Sequence, residues 1–360
     1  MNVALGTNRW VRSPFVVAWA VLAIVITFHS PRWWLFLQSN ADTLEWNRAT
    51  IYLQQCVDPW RDDLTAAVRW RFVPQIFVWL AGGGALLALA LPWLGALTLI
   101  GYSYNKIRQQ SDDGVKTLCA TIVLASSGPI LVSTGWLGIN DAWFVLALCY
   151  LAFGEHRIGW VVACLLGTFI DERFIFGLPL ALWLRAMSKP DTALKTTLQT
   201  AAKLMLAALI PFLVSRLLGT TLAERDTARD GEFIMQSLQQ SGAYLWCAPL
   251  GAWMALRFAG LPAAEEWLAQ FRVNRHTALI LLAVTAIPIV VGFTIASDTM
   301  RTAGIALPLC VWGICRLVAK KSRLYWLALA AASLLIPAAH VTYNKVMPIN
   351  SLPIELLRLF

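Results

Sequence analysis

The feature that most constrains this chain is a succession of uncharged apolar runs separated by short charged connections. Residues 14–30, 83–104, 115–134, 141–154, 158–170, 174–187, 197–218, 242–259, 277–296, 301–316 and 324–341 each read as such a run. A bilayer-crossing helix needs about 20 predominantly apolar residues. The pattern therefore predicts an all-α, polytopic membrane helical bundle with about eleven transmembrane helices, roughly ten to twelve, several of them short. Charged residues make up only 14% of the 360, and mean hydropathy is +0.63, so little is left over for a soluble domain. Residues 1–360 are expected to form a single integral-membrane domain.

The formal charge of +9 does not point to nucleic acid, because the basic residues sit in the connections. With the N-terminus inside, Arg9, Arg12, Lys106, Arg108, Arg157, Arg185, Lys189, Arg272, Arg275, Lys320, Lys321 and Arg323 all fall on the cytoplasmic side, as the positive-inside rule requires. The first apolar run has the basic flank of a signal peptide, but "ITFHSPRWW" offers no small-x-small cleavage site, so an uncleaved first helix is expected. Most acidic residues then face outward. Two outer segments are long enough to hold structure, 31–82 and 219–241, and the partly apolar helical patterns in the first suit interfacial helices lying on the bilayer. The seven cysteines show no CxxC pair and no Cys/His ligand spacing, so they read as small core residues rather than disulfides or zinc ligands.

In "LLGTFIDERFIFGLPLALW", Asp171, Glu172 and Arg173 stand consecutively inside an apolar stretch. Thirteen residues separate Arg157 from Asp171, and eleven separate Arg173 from Arg185. At 1.5 Å per residue each helix rises about 20 Å or less, against a hydrocarbon core about 30 Å thick. If the inner arginines mark the cytoplasmic surface, the triad lies below the outer surface, facing a water-filled recess. Similar spacings separate Asp141 from Glu155 and Arg301 from Arg316, so "GIND", "FIDERF" and "ASDTMR" are expected to wall one outward cavity.

Each mark also has a plainer structural explanation. Asn140 or Asp141 suits an N-cap, and Asp58 before Pro59 suits a helix start with Asp62 and Asp63 in its first turn. Ser39 and Asp42 have capping-box-like spacing. Asp298 also suits a cap, yet Arg301 would then occupy a first turn, where the helix dipole disfavours a cation; an ion pair or an arginine held toward phosphate accounts for it better. Asp171, Glu172 and Arg173 can form a structural salt-bridge knot, although ionisable groups at membrane depth are usually functional. Arg69 and Arg71 in "RWRF" suit headgroup anchoring or binding of a lipid phosphate, and His340 and Tyr343 stand where the last helix would reach the recess.

Carboxylates and arginines in an outward recess suit chemistry on a lipid-linked phosphate, with arginines holding the phosphate and a carboxylate removing a proton from an incoming hydroxyl. No Walker loop and no GxGxxG after a strand is present. A short basic N-terminus, one helix, a long acidic outer loop and "RWRFVP" leading into the next helices resemble the GT-C superfamily of integral-membrane glycosyltransferases. "GINDAWFVLAL", "FIDERFIFGLPLALWLR" and "SDTMRTAGIALPL" look like marks of its bacterial polyprenyl-phosphate-sugar-dependent members.

That resemblance implies transfer of a sugar from a polyprenyl-phosphate donor to an acceptor on the outer face of a bacterial inner membrane. It places the general base in the first outer loop, on Asp42, with Glu45 or Asp58 as substitutes, although the paired acids typical of that loop are missing from "HSPRWWLFLQSNADTLEW". Asp171 and Glu172 are then assigned to acceptor positioning or a divalent cation, and Arg173 and Arg301 to the lipid phosphate. The expected partners are the lipid-linked donor and membrane lipids. A transporter or flippase of lipid-linked sugars or organic anions is the first alternative, disfavoured by one-sided charge and the lack of an internal repeat. A non-catalytic envelope-assembly protein is the second.

Overall fold

Apolar runs in this chain close their backbone hydrogen bonds locally, and the result is a helical molecule. The structure, a computed structural model, describes residues 13–32, 44–61, 69–188, 194–219, 299–342 and 345–358, with 283, 287 and 288. In chain order these form α1 (Pro14–Phe28), α2 (Leu44–Val57), α3 (Val73–Leu80), α4 (Ala85–Arg108), α5 (Gly114–Ala125), α6 (Gly128–Gly135), α7 (Asp141–Phe153), α8 (Arg157–Ile170), α9 (Arg173–Ser188) and α10 (Leu194–Gly219). After the gap come α11 (Thr299–Thr302), a 3-10 turn (Ala303–Ala306), α12 (Leu307–Lys320), α13 (Arg323–Leu335), a hairpin of β1 (Ala338–Thr342) and β2 (Lys345–Ile349), and α14 (Leu352–Leu357). The expected runs 242–259 and 277–296, and the outer segment 219–241 beyond Gly219, lie outside the described residues apart from 283, 287 and 288.

Among the described residues, three helical stretches are long and apolar enough to cross a membrane: Ala85–Arg108, Lys195–Val214 and Met300–Lys320. The pair α5 and α6 qualifies jointly but is bent by 65°. The run 115–134 is thus two helices rather than one. Pro129 lacks the N–H that would continue α5, and it sits in the first turn of α6, where that loss costs nothing. α1, α7, α8 and α13 are apolar but span only 13 to 15 residues. The run 324–341 also stops early: α13 ends at Leu335, Pro337 cannot extend it, and the chain enters an antiparallel hairpin pairing Ala338 with Ile349 and Thr342 with Lys345. The all-α expectation needs that one amendment.

The core is built around α7, which packs on α8, α9 and α4; α1 and α13 close the other side against α4 and α5. Phe144, Leu148, Phe174, Leu178, Ile305 and Val311 are buried there. Small residues let these helices approach closely. A Cβ on Gly177 would lie 2.5 Å from Leu148 Cδ1, one on Gly304 would lie 2.7 Å from Val145 Cγ2, and one on Gly128 would lie 2.7 Å from Met300 Cγ. These contacts seat α11 and the 3-10 turn between α6, α7 and α9. Among the described residues six cysteines are free thiols, five of them buried.

Helix α2 is amphipathic and packs on α3 and α4, in a small cluster apart from the main core. Ala49, Tyr52, Gln55 and Cys56 form its buried face, and the Tyr52 hydroxyl donates to the Ala88 carbonyl of α4 at 2.9 Å. Gly138 makes that docking possible: its φ is +73°, and a Cβ there would lie 2.9 Å from Tyr52 Cβ. Gln75 of α3 donates to Gln55 at 2.9 Å, and Gln55 donates to the Arg69 carbonyl at 3.3 Å. That glutamine pair ties α2 to the segment entering α3.

Candidate functional site

Three short helix ends meet at one point. Asp141 opens α7, Asp171 stands between α8 and α9, and Arg173 opens α9. Arg301 is in α11, and Arg71 lies just before α3. Residues up to 230 positions apart in sequence thereby form one cluster with Glu172.

Asp171 is held by its near neighbour. Its Oδ1 accepts from Arg173 Nε at 2.7 Å and from the Arg173 backbone N–H at 3.0 Å, and its Oδ2 accepts from Arg173 Nη2 at 2.7 Å. One carboxylate thus caps the start of α9 and fills the guanidinium edge formed by Nε and Nη2. Asp141 fills the same edge of Arg301, accepting from Nε and Nη2 at 2.7 Å each, and accepts from Arg173 Nη2 at 3.1 Å. Arg301 Nη2 also lies 3.5 Å from Asp171 Oδ2, an ion-pair distance rather than a good hydrogen bond.

Arg71 completes the cluster differently. Its Nη1 is 3.5 Å from Asp171 Oδ2 and its Nη2 donates to Glu172 Oε1 at 3.1 Å. Arg71 Nε is buried and has no hydrogen-bond partner among the described residues. Exposure separates the two halves of the cluster. The Asp141 and Asp171 side chains are 1% and 3% exposed, whereas those of Arg71 and Glu172 are 26% and 28% exposed. Among the described residues the cluster pairs three arginines with three carboxylates, and such pairing is how buried ions offset a desolvation cost of several kcal/mol each. Arg71 and Glu172 form its open side.

Capping does not account for the acidic marks near α7. The Ala142 N–H that begins the helix is capped by the Ser133 hydroxyl at 3.0 Å, Asn140 makes no capping bond, and Asp141 is committed to arginines. Asp58 also departs from the expected helix start: it follows the last residue of α2, where its carboxylate accepts from the Trp60 N–H at 3.2 Å in an exposed turn. Arg69 stacks beside Trp70 rather than joining the charges, with 5.9 Å between guanidinium and ring centroid. His340 is buried against Trp136, ring centroids 4.5 Å apart, on the strand next to α11. Glu45 lies in the first turn of α2, where the backbone alone is described. Asp42, Asp298 and Tyr343 fall outside the described residues.

The residues brought together are therefore Arg71, Asp141, Asp171, Glu172, Arg173 and Arg301. Among the described residues no group of three His, Cys, Asp or Glu side chains is arranged to hold a metal ion, since the clustered carboxylates are turned onto arginines. Sequence reasoning missed the two glutamines that fix the segment before Arg71. A polar Gln55 on the apolar face of a helical pattern was the available signal. It also treated Arg185 only as a cytoplasmic charge. Arg185 is instead buried, donating to the Leu151 and Gly154 carbonyls at 2.9 and 3.0 Å and stacking 3.2 Å from the Trp160 ring centroid. It closes the C-terminal end of α7 opposite the cluster.

No protein-family model, no curated protein and no solved structure matches this chain.

Proposed function

We propose that this chain is an integral-membrane glycosyltransferase of the GT-C kind, crossing a bacterial cytoplasmic membrane about eleven times, with its N-terminus cytoplasmic and its charge cluster in an outward recess. It moves a sugar from a polyprenyl-phosphate donor to an acceptor at the outer face. The observation that carries the reading is Arg71: a cation at the open side of a buried ion cluster, with one donor of its Nε/Nη2 edge unfilled. Phosphate oxygens match that edge in spacing and charge.

In the proposed reaction an acceptor hydroxyl gives its proton to a carboxylate and its oxygen bonds to the sugar anomeric carbon. The bond from that carbon to the phosphate oxygen breaks, and the electron pair leaves with the polyprenyl phosphate, which Arg71 holds. The carboxylate is Glu172, on the open side of the cluster, or Asp42 as the family resemblance implies. Asp141, Asp171, Arg173 and Arg301 position Arg71 and the start of α9.

The test is turnover by purified protein in lipid nanodiscs, given a panel of polyprenyl-phosphate-linked sugars and read as release of polyprenyl phosphate. Arg71→Ala is expected to cut transfer at least about tenfold, the equivalent of one charge-assisted hydrogen bond. Failure of the native protein to bind or turn over any polyprenyl-phosphate compound would sink the proposal. The 65° break between α5 and α6 favours a second reading, because broken helices are characteristic of transporters. In sealed vesicles a transporter would move the labelled lipid-linked sugar between leaflets without changing it chemically.

A further inference from the structure

The three arginines of the cluster use the same guanidinium edge in two ways. On Arg173 and Arg301, Nε and Nη2 are both filled by a carboxylate at 2.7 Å. On Arg71, Nη2 holds a single Glu172 oxygen at 3.1 Å while Nε is buried without a partner. A buried charged donor left unmade is costly, and the two-oxygen anion that would satisfy it must also take the position Glu172 now occupies on Nη2. Nothing comparable holds for Asp171, whose two oxygens are fixed by Arg173 and whose side chain is 3% exposed.

We propose that Glu172 is the resident occupant of a phosphoryl seat on Arg71: an incoming phosphate takes Nε and Nη2 together, displaces Glu172 Oε1 from Nη2, and thereby makes that oxygen available to accept the proton of the acceptor hydroxyl. The base is held on the cation until the donor phosphate arrives. Arg71 stays in place because Nη1 remains beside Asp171 at 3.5 Å. Water meeting an empty site finds the carboxylate paired with a cation, so hydrolysis is suppressed until substrate binds. The inference rests on the glycosyltransferase reading for the identity of the phosphate, but its distinguishing prediction concerns binding.

The experiment measures the affinity of undecaprenyl phosphate, and separately of inorganic phosphate, for native protein, Glu172→Gln and Arg71→Lys in nanodiscs. Turnover is followed in parallel. Glu172→Gln keeps the shape and removes the competing charge, so it is expected to bind undecaprenyl phosphate about tenfold more tightly, the effect of one charged hydrogen bond, while transfer falls by about a hundredfold or more. The result is a lower KM together with a lower kcat. Arg71→Lys, which lacks the planar fork, is expected to weaken binding in spite of its retained charge. If inorganic phosphate shows the same dependence on Glu172, the seat reads the phosphoryl group from either source. If the lipid alone binds, the tail contributes as well, and the displacement stands in both cases. Native protein that binds undecaprenyl phosphate while Glu172→Gln binds equally or more weakly overturns the displacement and leaves the glycosyltransferase reading intact. Absence of binding by the native protein and both variants overturns that reading and this inference with it.

Discussion

Four arginines of the bundle show how partner geometry decides what a cation does. Arg173 and Arg301 are locked in two-point pairs, Arg185 closes a helix end against an indole, and Arg71 keeps an unfilled donor. Removing one member of a buried pair leaves its partner as an uncompensated charge, typically costing about 3–5 kcal/mol. Asp171→Ala is therefore expected to lower stability by about that much, whereas Glu172→Gln, a quarter exposed, should cost about 1 kcal/mol or less. Thermal unfolding in one detergent checks the ordering, and equal losses would contradict the division of the cluster into buried and open halves. At the other end of the bundle, Asp113 caps α5 and accepts from Arg323, and that hydrogen bond holds its carboxyl below the usual value. A depressed folded-state value makes the contribution complete above the unfolded value, about pH 4, and removes it as pH falls through the folded value. Both groups are near the surface, so Arg323→Ala should cost at most about 1 kcal/mol at pH 7. The difference from native protein should shrink as pH falls below the unfolded value, measured by the same melts.

Elements were legible where a single periodicity or apolar run decided them, and illegible where a proline overrode it. The helices around 141–153, 157–170 and 173–188 follow from apolar runs bounded by charge, and that at 85–108 from one opened by Gly82–Gly84 and closed by Lys106 and Arg108; Pro92 and Pro179 are accommodated inside two of them. The break at Ser126 and Ser127 and the hairpin after Leu335 do not, because composition stays apolar through both while Pro129 and Pro337 change the backbone. The docking of α2 on α4 was likewise unreadable in advance, since it depends on Gly138 taking a positive φ beneath Tyr52. That contact supports a test at this scale. Gly138→Ala would meet both the left-handed backbone penalty of about 1–2 kcal/mol and a collision with Tyr52. Hydrogen exchange across 49–57 should accelerate by at least about tenfold if α2 opens locally at a cost reduced by that amount. The amides of α7 and α9 should keep their protection, because their core lies apart from Tyr52. Uniform acceleration would instead make α2 part of one cooperative unit with the bundle.

At the scale of the whole molecule, the ends of the helices sort into two groups. Ser30 bonds Asn350, His29 meets the Ser333 carbonyl, Trp136 stacks on His340, and the arginine and carboxylate cluster lies beyond the short helices. The connections before α5 and α13 meet elsewhere, through Asp113 and Arg323. Helix-length arithmetic pointed to Asp141, Asp171 and Arg301 as neighbours, and their side chains do meet. It did not reveal which carboxylate would occupy which arginine, because pairs such as Arg71 with Glu172 arise from packing between segments about a hundred residues apart. The proposed orientation turns this sorting into a measurable asymmetry. Asp58 and Asp112 are both exposed, one after α2 near the cluster-bearing end and one in the connection leading to α5. With the N-terminus cytoplasmic, Asp58→Cys should react with a membrane-impermeant maleimide in intact cells, above the background of the native thiols. Asp112→Cys should react only after permeabilisation. The charge bias behind this expectation is the concentration of Lys and Arg in the connections that include Lys106, Arg108, Lys320, Lys321 and Arg323. The opposite labelling pattern would turn the cluster toward the cytoplasm, where an outward-facing acceptor could not reach Arg71, and the proposed transfer would have to be abandoned along with the orientation.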